Sequence, residues 1–357
     1  MPRKLEINPV TRVEGHGKVT IQLDDAGAVT QARLHIIEFR GFEKFVQGRP
    51  FWEMPVLSER MCGICPVSHH LAAAKTCDVL VSSSVPSAAT KLRRLMHYGQ
   101  VLQSHALHFF HLSAADFLLG FDSDPALRNV IGIAAVAPDT ALKAIKLRKY
   151  GQEVIKATGG KKVHPTGAIP GGMNAPIPAA DRARLRKDAQ TMIDWAEEGV
   201  NLCLDFYQHN KELFSSFAVF DTGYMGSVGP NGELELYHGA LRGIDAQGHI
   251  VFDQVPYDAY LSEIAEAVED WSYMKFPFFR KLGYPQGCYR VGPLARFNVA
   301  DSISTPRAMK FFDLFKRLAG GKPVGGSLFY HFTRLVEMLH ATELIATLLA
   351  DDEIESE

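Results

Sequence analysis

Residues 87–120 carry Leu92, Leu95, Met96, Leu102, Leu107 and Phe110 at the spacing of one helix face. Residues 180–214 repeat the pattern with Leu185, Met192, Trp195, Val200, Leu204 and Tyr207. Stripes this long commit a chain to helices of many turns, which must bury their apolar faces against one another. Two further helices are expected: one opens at Thr305-Pro306, where a capping hydroxyl precedes a first-turn proline, and one covers residues 329–349. β structure is expected at the margins. Residues 18–23 and 29–37 alternate about an Asp24-Asp25-Ala26-Gly27 turn, which reads as a hairpin. Residues 217–220, 234–241 and 250–252 are strand candidates, with turns at Pro230-Asn231-Gly232 and Ala246-Gln247-Gly248. The fold class is mainly α with peripheral β (α+β). No repeat, low-complexity tract or Ser/Gly linker divides the chain, so residues 1–357 read as a single domain. The acidic residues 351–357 read as solvated coil.

The composition, 46% hydrophobic and 22% charged, is that of a soluble globular protein. A net charge of −2 gives no electrostatic reason for a nucleic acid or an anionic membrane as partner. No apolar run is long enough to span a bilayer, and the first residues carry no signal-peptide pattern, so a cytoplasmic location is expected. The five cysteines are an odd, sparse set that argues for a reducing compartment rather than a disulfide framework. Cys77 and Cys203 lie in apolar helical patterns and read as packed thiols, while Cys288 follows Gly287 in a loop.

The chemistry concentrates in Arg60-Met61-Cys62-Gly63-Ile64-Cys65-Pro66-Val67-Ser68-His69. A C-x-x-C loop turns two thiolates to one side and lets them grip one metal. Gly63 is expected to permit the tight turn, Arg60 to lower the thiol pKa values, and His69 to hydrogen-bond a bound sulfur. The apolar run after Ser68 places Cys65 near a helix N-terminus, where free amides favour a thiolate. Spacing leaves three options: half of a zinc site, a redox dithiol, or half of a heterometal site. His97, His105, His108 and His111 recur along the first long helix. They read as packed and hydrogen-bonded imidazoles sooner than as a zinc stripe. Asp116 stands in an apolar run and reads equally as a partnered buried carboxylate or a helix-end surface residue. Glu14, beside Arg12 and His16, reads as a loop acid, and Glu43 as half of an Arg40–Glu43 pair.

Taken together, Pro9-Val10-Thr11-Arg12-Val13-Glu14-Gly15-His16, Arg40-Gly41-Phe42-Glu43, the Cys62/Cys65 motif, Asp116 after its histidine-rich helix, the run from His164 to Gly172, and Val291-Gly292-Pro293-Leu294-Ala295-Arg296 resemble the large subunit of nickel–iron hydrogenases. The likeness is greatest to the cytoplasmic, NAD-linked bidirectional branch. The resemblance implies that family's long-helix bundle and the reversible oxidation of dihydrogen to protons and electrons. It implies that Cys62 is a terminal nickel ligand and Cys65 a thiolate bridging nickel and iron. The iron would carry carbon monoxide and cyanide. Arg60 and His69 would support the cysteine loop, Glu14 would be the first proton acceptor, Asp116 would join the polar canopy, and Glu43 would help hold magnesium. Electrons would pass to an iron–sulfur small subunit, then through flavin- and NAD-binding diaphorase subunits. The family's second C-x-x-C, with its following histidine, and the arginine of a Pro-Arg-Gly segment do not occur in the sequence. The chain is therefore expected to be C-terminally incomplete and its activity alone doubtful. A non-catalytic truncated homologue or scaffold, and a quinone-reducing subunit like that of respiratory complex I, are the alternatives.

Overall fold

The computed structural model describes residues 3–356. The chain divides into two compact units: residues up to Gly48 together with Glu266–Pro277, and Arg49–Ala265 together with Phe278 onward.

The smaller unit is built on a three-stranded antiparallel sheet in the order Arg3–Ile7, Gly17–Leu23, Val29–Ile36. The expected hairpin is present. The Asp24 carboxylate accepts from the amides of Ala26 and Ala28 at 2.9 and 2.8 Å, and Gly27 turns the chain at φ +84°. The strand Arg3–Ile7 was not expected. It pairs Leu5 with Ile21 and Ile7 with Val19, so the alternation of its neighbour fixes its register. On the polar side of the sheet, Thr20 Oγ1 and His35 Nε2 lie 2.9 Å apart. Trp271 packs edge-on to His35 and beneath the Arg33 guanidinium.

The larger unit is a helical bundle with Pro66–Leu80, Ser87–Ala106, Pro138–Gly159, Ala179–His209, Pro306–Ala319 and Phe329–Ala350 as its main members. Phe329–Ala350 runs through the centre, with Leu335, Val336, Met338, Leu339, Ala341 and Ile345 all fully buried. Ser87–Ala106 and Pro138–Gly159 approach until backbone meets backbone. A Cβ on Gly151 would lie 2.6 Å from the Gly99 carbonyl oxygen, so only glycine permits this crossing. The stripe over residues 87–120 is not one α-helix. It turns π-helical over Leu107–Ser113 and becomes α-helical again over Ala114–Leu119. Ser113 Oγ donates to the His108 carbonyl and His111 Nδ1 lies 3.4 Å from that of Ala106, both five residues back, as the wider turn requires. Ala179–His209 ends earlier than expected, where Asn210 leaves helical geometry and its side-chain amide turns back to the Phe206 carbonyl. Pro306–Ala319 and Phe329–Ala350 lie where the sequence puts them.

The β segment of this unit differs from expectation. Residues 217–220 form no strand, whereas Gly223–Val228 and Ala240–Ile244 do, and the sheet runs Tyr289–Arg290, Gly223–Val228, Ala240–Ile244, Ile250–Val255. Gly223, Gly226 and Gly243 masked the strand pattern. A Cβ on any of them would collide with Phe279, Val299 or Phe252, so these glycines serve close packing. The run from His164 to Gly172 is not wholly irregular: Ala168–Ile169 and Gly172–Met173 form a minimal hairpin. The acidic residues after Ala350 are not free coil either. Lys91 reaches Asp351 at 2.5 Å and also binds Glu353, and Arg182 reaches Asp352 and Glu355 at 2.6 and 3.1 Å. Ile354 is fully buried beside them. Among the described residues, no helix is long and apolar enough to cross a membrane.

Candidate metal centre

The cysteine loop joins two helices. Met54–Glu59 ends at Arg60, and Pro66–Leu80 begins after Cys65, which occupies its N-cap with Pro66 in the first turn. This is the helix-start position expected for Cys65. The Cys62 amide donates to the Glu59 carbonyl at 3.3 Å, and the Cys65 amide donates to Cys62 Sγ at 3.2 Å. From the Ser87–Ala106 helix, the side-chain amides of Gln100 and Gln103 both donate to the Ile64 carbonyl, at 3.1 and 3.0 Å. The loop is thus held by the protein itself, with both sulfurs half-buried. Gly63 does not have the role expected of it: it lies outside the left-handed region, and a Cβ there would meet nothing within 4 Å. The amide-to-sulfur bond and the glutamine anchors set the turn instead.

Cys62, Cys65 and His69 bring one ligand atom each within 4.8 Å of one another, the one such cluster of metal-binding groups among the described residues. His69 lies one helical turn after Cys65, so its ring returns to the face that carries the sulfurs. Two soft thiolates and an imidazole form an incomplete set for a thiophilic transition metal. Arg60 is largely exposed, and its Nε lies 3.9 Å from Glu59 Oε1.

Glu59 and His70 are the residues that sequence reasoning missed. Glu59 is fully buried, and neither carboxylate oxygen has a hydrogen-bond partner. Burial pushes its pKa up to about 7, against a smaller opposing pull from Arg60. His70, also fully buried, has Nδ1 2.7 Å from the Pro55 carbonyl and accepts the Ala168 amide at Nε2, at 3.0 Å. One ring therefore ties three segments together behind the cysteines, and accepting at Nε2 fixes it as the neutral tautomer. The available signal was adjacency, since Glu59 and His70 flank the motif on either side.

The remaining expected site residues are not members of this cluster. Asp116, on Ala114–Leu119, is partly buried and faces Arg128 Nε at 3.5 Å. Glu14 is exposed, in the loop that the Val10 amide closes onto the Gly17 carbonyl at 3.0 Å. Glu43 is exposed in the first turn of Phe42–Phe45. Arg40 does not pair with it: the guanidinium lies over the Tyr273 ring and donates to the Tyr273 carbonyl. The histidines of the long helix are packed inside the bundle, as expected, but not all are bonded: His108 Nδ1 has no hydrogen-bond partner. His105 Nε2 lies 3.0 Å from Glu337 and its Nδ1 3.1 Å from Arg334, while the His108 ring packs against His331. Burial would raise the Glu337 carboxyl, yet Arg296, at 2.6 and 2.7 Å, and His105 hold it far below the usual range. The motif ending at Arg296 therefore serves the core of the bundle.

A family model described as HoxL-like matches residues 4–39, and one described as nickel-dependent hydrogenase matches residues 40–126. The chain is 45% identical to the NAD-reducing hydrogenase HoxS subunit beta of Cupriavidus necator, over 100% of this chain and 75% of that protein. It is 44% identical to a subunit of the F420-non-reducing hydrogenase vhu of Methanocaldococcus jannaschii, over 99% of this chain and 84% of that one. Among solved structures it superposes on a NAD+-reducing [NiFe]-hydrogenase in the H2-reduced state with a TM-score of 0.96 and 49% identity, covering 99% of this chain and 79% of that one. The Ni-Fe-Se hydrogenase of D. vulgaris Hildenborough shares the fold alone, with a TM-score of 0.77 at 24% identity.

Proposed function

Because this chain belongs to the nickel-dependent hydrogenases as a large subunit, we propose that Cys62 and Cys65 hold nickel and iron at a centre that reversibly oxidises dihydrogen. The donor cluster of Cys62, Cys65 and His69 carries this reading. Its fit to the metals is chemical: soft thiolates suit nickel, and hydrogen bonds within the loop and from Gln100 and Gln103 hold both sulfurs on one side. When bound, the metal pair supplies heterolytic cleavage of dihydrogen, with carbon monoxide and cyanide as further ligands of the iron.

The chain's own residues do the rest. Cys62 and Cys65 would hold the metals through their thiolates. The Cys65 amide, aimed at Cys62 Sγ, stabilises negative charge on that sulfur. The His69 ring N–H steadies a sulfur from the other side, and Arg60 keeps positive charge at the loop. Glu14 takes up a proton at its carboxylate and releases it outward. Asp116, oriented by Arg128, would supply a fixed carboxylate to the polar surroundings of the metals. Glu43 offers hard oxygen to magnesium. Two thiolates are half of what a nickel–iron pair needs, and Cys203 is enclosed in the bundle with burial driving its thiol up to about 12. Electrons leave through an iron–sulfur small subunit toward flavin- and NAD-binding subunits.

The test is metal and infrared analysis of the assembled enzyme. Wild type carries nickel, iron and infrared bands of iron-bound carbon monoxide and cyanide, and C65S loses them. Bands persisting undiminished in C65S would remove Cys65 from the site.

A further inference from the structure

Glu14 stands in a loop with no regular structure, yet a proton acceptor works only if its carboxylate is held in one place. A set of contacts within the smaller unit supplies that hold. Gly15, next to Glu14, adopts φ +76°, and a Cβ there would lie 2.8 Å from Glu38 Oε1. The missing side chain lets the Glu38 carboxylate lie directly against the turn. The same oxygen accepts the His16 backbone N–H, and His16 Nδ1 lies 2.7 Å from it. The His16 carbonyl accepts from the Ile37 amide at 3.2 Å. Glu38 is fixed in turn from residues 266–277: Tyr273 Oη donates to the Glu38 carbonyl at 2.5 Å, and Arg40 donates to the Tyr273 carbonyl. Carboxylate bonds of this kind are stronger than neutral ones and directional. The clasp therefore spans the two segments that carry Glu14 and Glu43.

We infer that Glu38 is a positioning residue for proton transfer: by gripping Gly15 and His16 it sets where the Glu14 carboxylate points, and Tyr273 braces it. This rests on Glu14 being the proton acceptor. Glu38 acts through the turn and touches neither substrate nor metal.

The test uses the assembled enzyme with full-length subunits. Dihydrogen oxidation and exchange between deuterium gas and water protons are measured for E14Q, E38A, E38Q, Y273F and the E14Q/E38A double variant. E38A loses about tenfold to a hundredfold in both rates, the range for misplacing a reacting group by about 1 Å. E38Q and Y273F lose less, since an amide oxygen still accepts the His16 N–H and the other clasp bonds remain. Nickel content and infrared bands stay at wild-type values in all of them, which a general loosening of the fold would not permit. The double variant falls no further than E14Q, because both residues act on one step. Wild-type exchange in E38A with E14Q inactive, or losses that multiply in the double variant, would overturn the clasp alone. Full activity in E14Q would overturn the Glu14 reading and the clasp with it. Should E38A not fold, E38Q and Y273F decide, with wild-type exchange in both counting against the clasp.

Discussion

Among single residues, the buried ion network shows what a sequence hides. Glu337 is fully buried and satisfies Arg296 and His105 together, yet the sequence offers only an acid inside an apolar helix. Its partners lie 41 and 232 residues away, and no local pattern encodes such pairings. Removing one member of a buried pair leaves the other charge uncompensated, which typically costs about 3 kcal/mol or more. E337Q should therefore lower the unfolding free energy by about 3 kcal/mol in urea titrations, and an unchanged midpoint would contradict the network's structural role. Cys62, Cys65 and His69 were legible for the opposite reason. Their spacing is local, and a C-x-x-C at a helix start leaves the side chains few directions to take. Glu59, equally close, was missed because its significance lies in being buried without a hydrogen bond, and burial is a property of the whole fold.

Secondary-structure elements explain why the cysteine loop is rigid. Gln100 and Gln103 reach Ile64 only because Ser87–Ala106 sits at one height against Pro138–Gly159, and that height is set where Gly99 meets Gly151. A methyl on Gly151 would lie 2.8 Å from the Gln103 backbone nitrogen as well. Overpacking of this kind costs about 1–3 kcal/mol. G151A should destabilise by about 2 kcal/mol in denaturant and also lower the nickel retained by the assembled enzyme, because the glutamine anchors shift with the helix. Lost stability with full nickel content would separate the helix crossing from the site. The helices themselves were legible from apolar spacing, and their boundaries less so. The π-helical stretch Leu107–Ser113 keeps the apolar residues inward while adding a residue per turn, which a period-3.6 reading cannot distinguish from straight helix.

Across the whole molecule, the bundle buries imidazoles in their neutral form. Burial lowers His97, His105, His331 and His340 to about 4 and His108 to about 3, so these five groups resist protonation in the folded state. An unfolded histidine titrates near about 6.5, so below that pH the unfolded chain takes up protons that the folded chain refuses. Stability is full above about pH 6.5 and falls as the pH drops toward about 4. Each such histidine contributes up to about 1.4 kcal/mol per pH unit, so the unfolding free energy should drop by at least about 2 kcal/mol between pH 6.5 and pH 5. Urea unfolding at the two pH values measures this, and a flat profile would contradict it. The long helices announced the class of fold, whereas the cysteine loop alone left three chemistries open and only the combination of motifs carried the resemblance to a family. The division into two compact units was not legible, because the smaller one takes in residues 266–277, more than two hundred positions from its sheet. The most direct test of the central claim is the nickel content of the assembled enzyme, in wild type and in the C62S/C65S double variant. About one nickel per large subunit is expected in wild type and almost none in the variant, since losing both thiolates removes the soft donors. Equal nickel in the two preparations would show that Cys62 and Cys65 do not hold the metal.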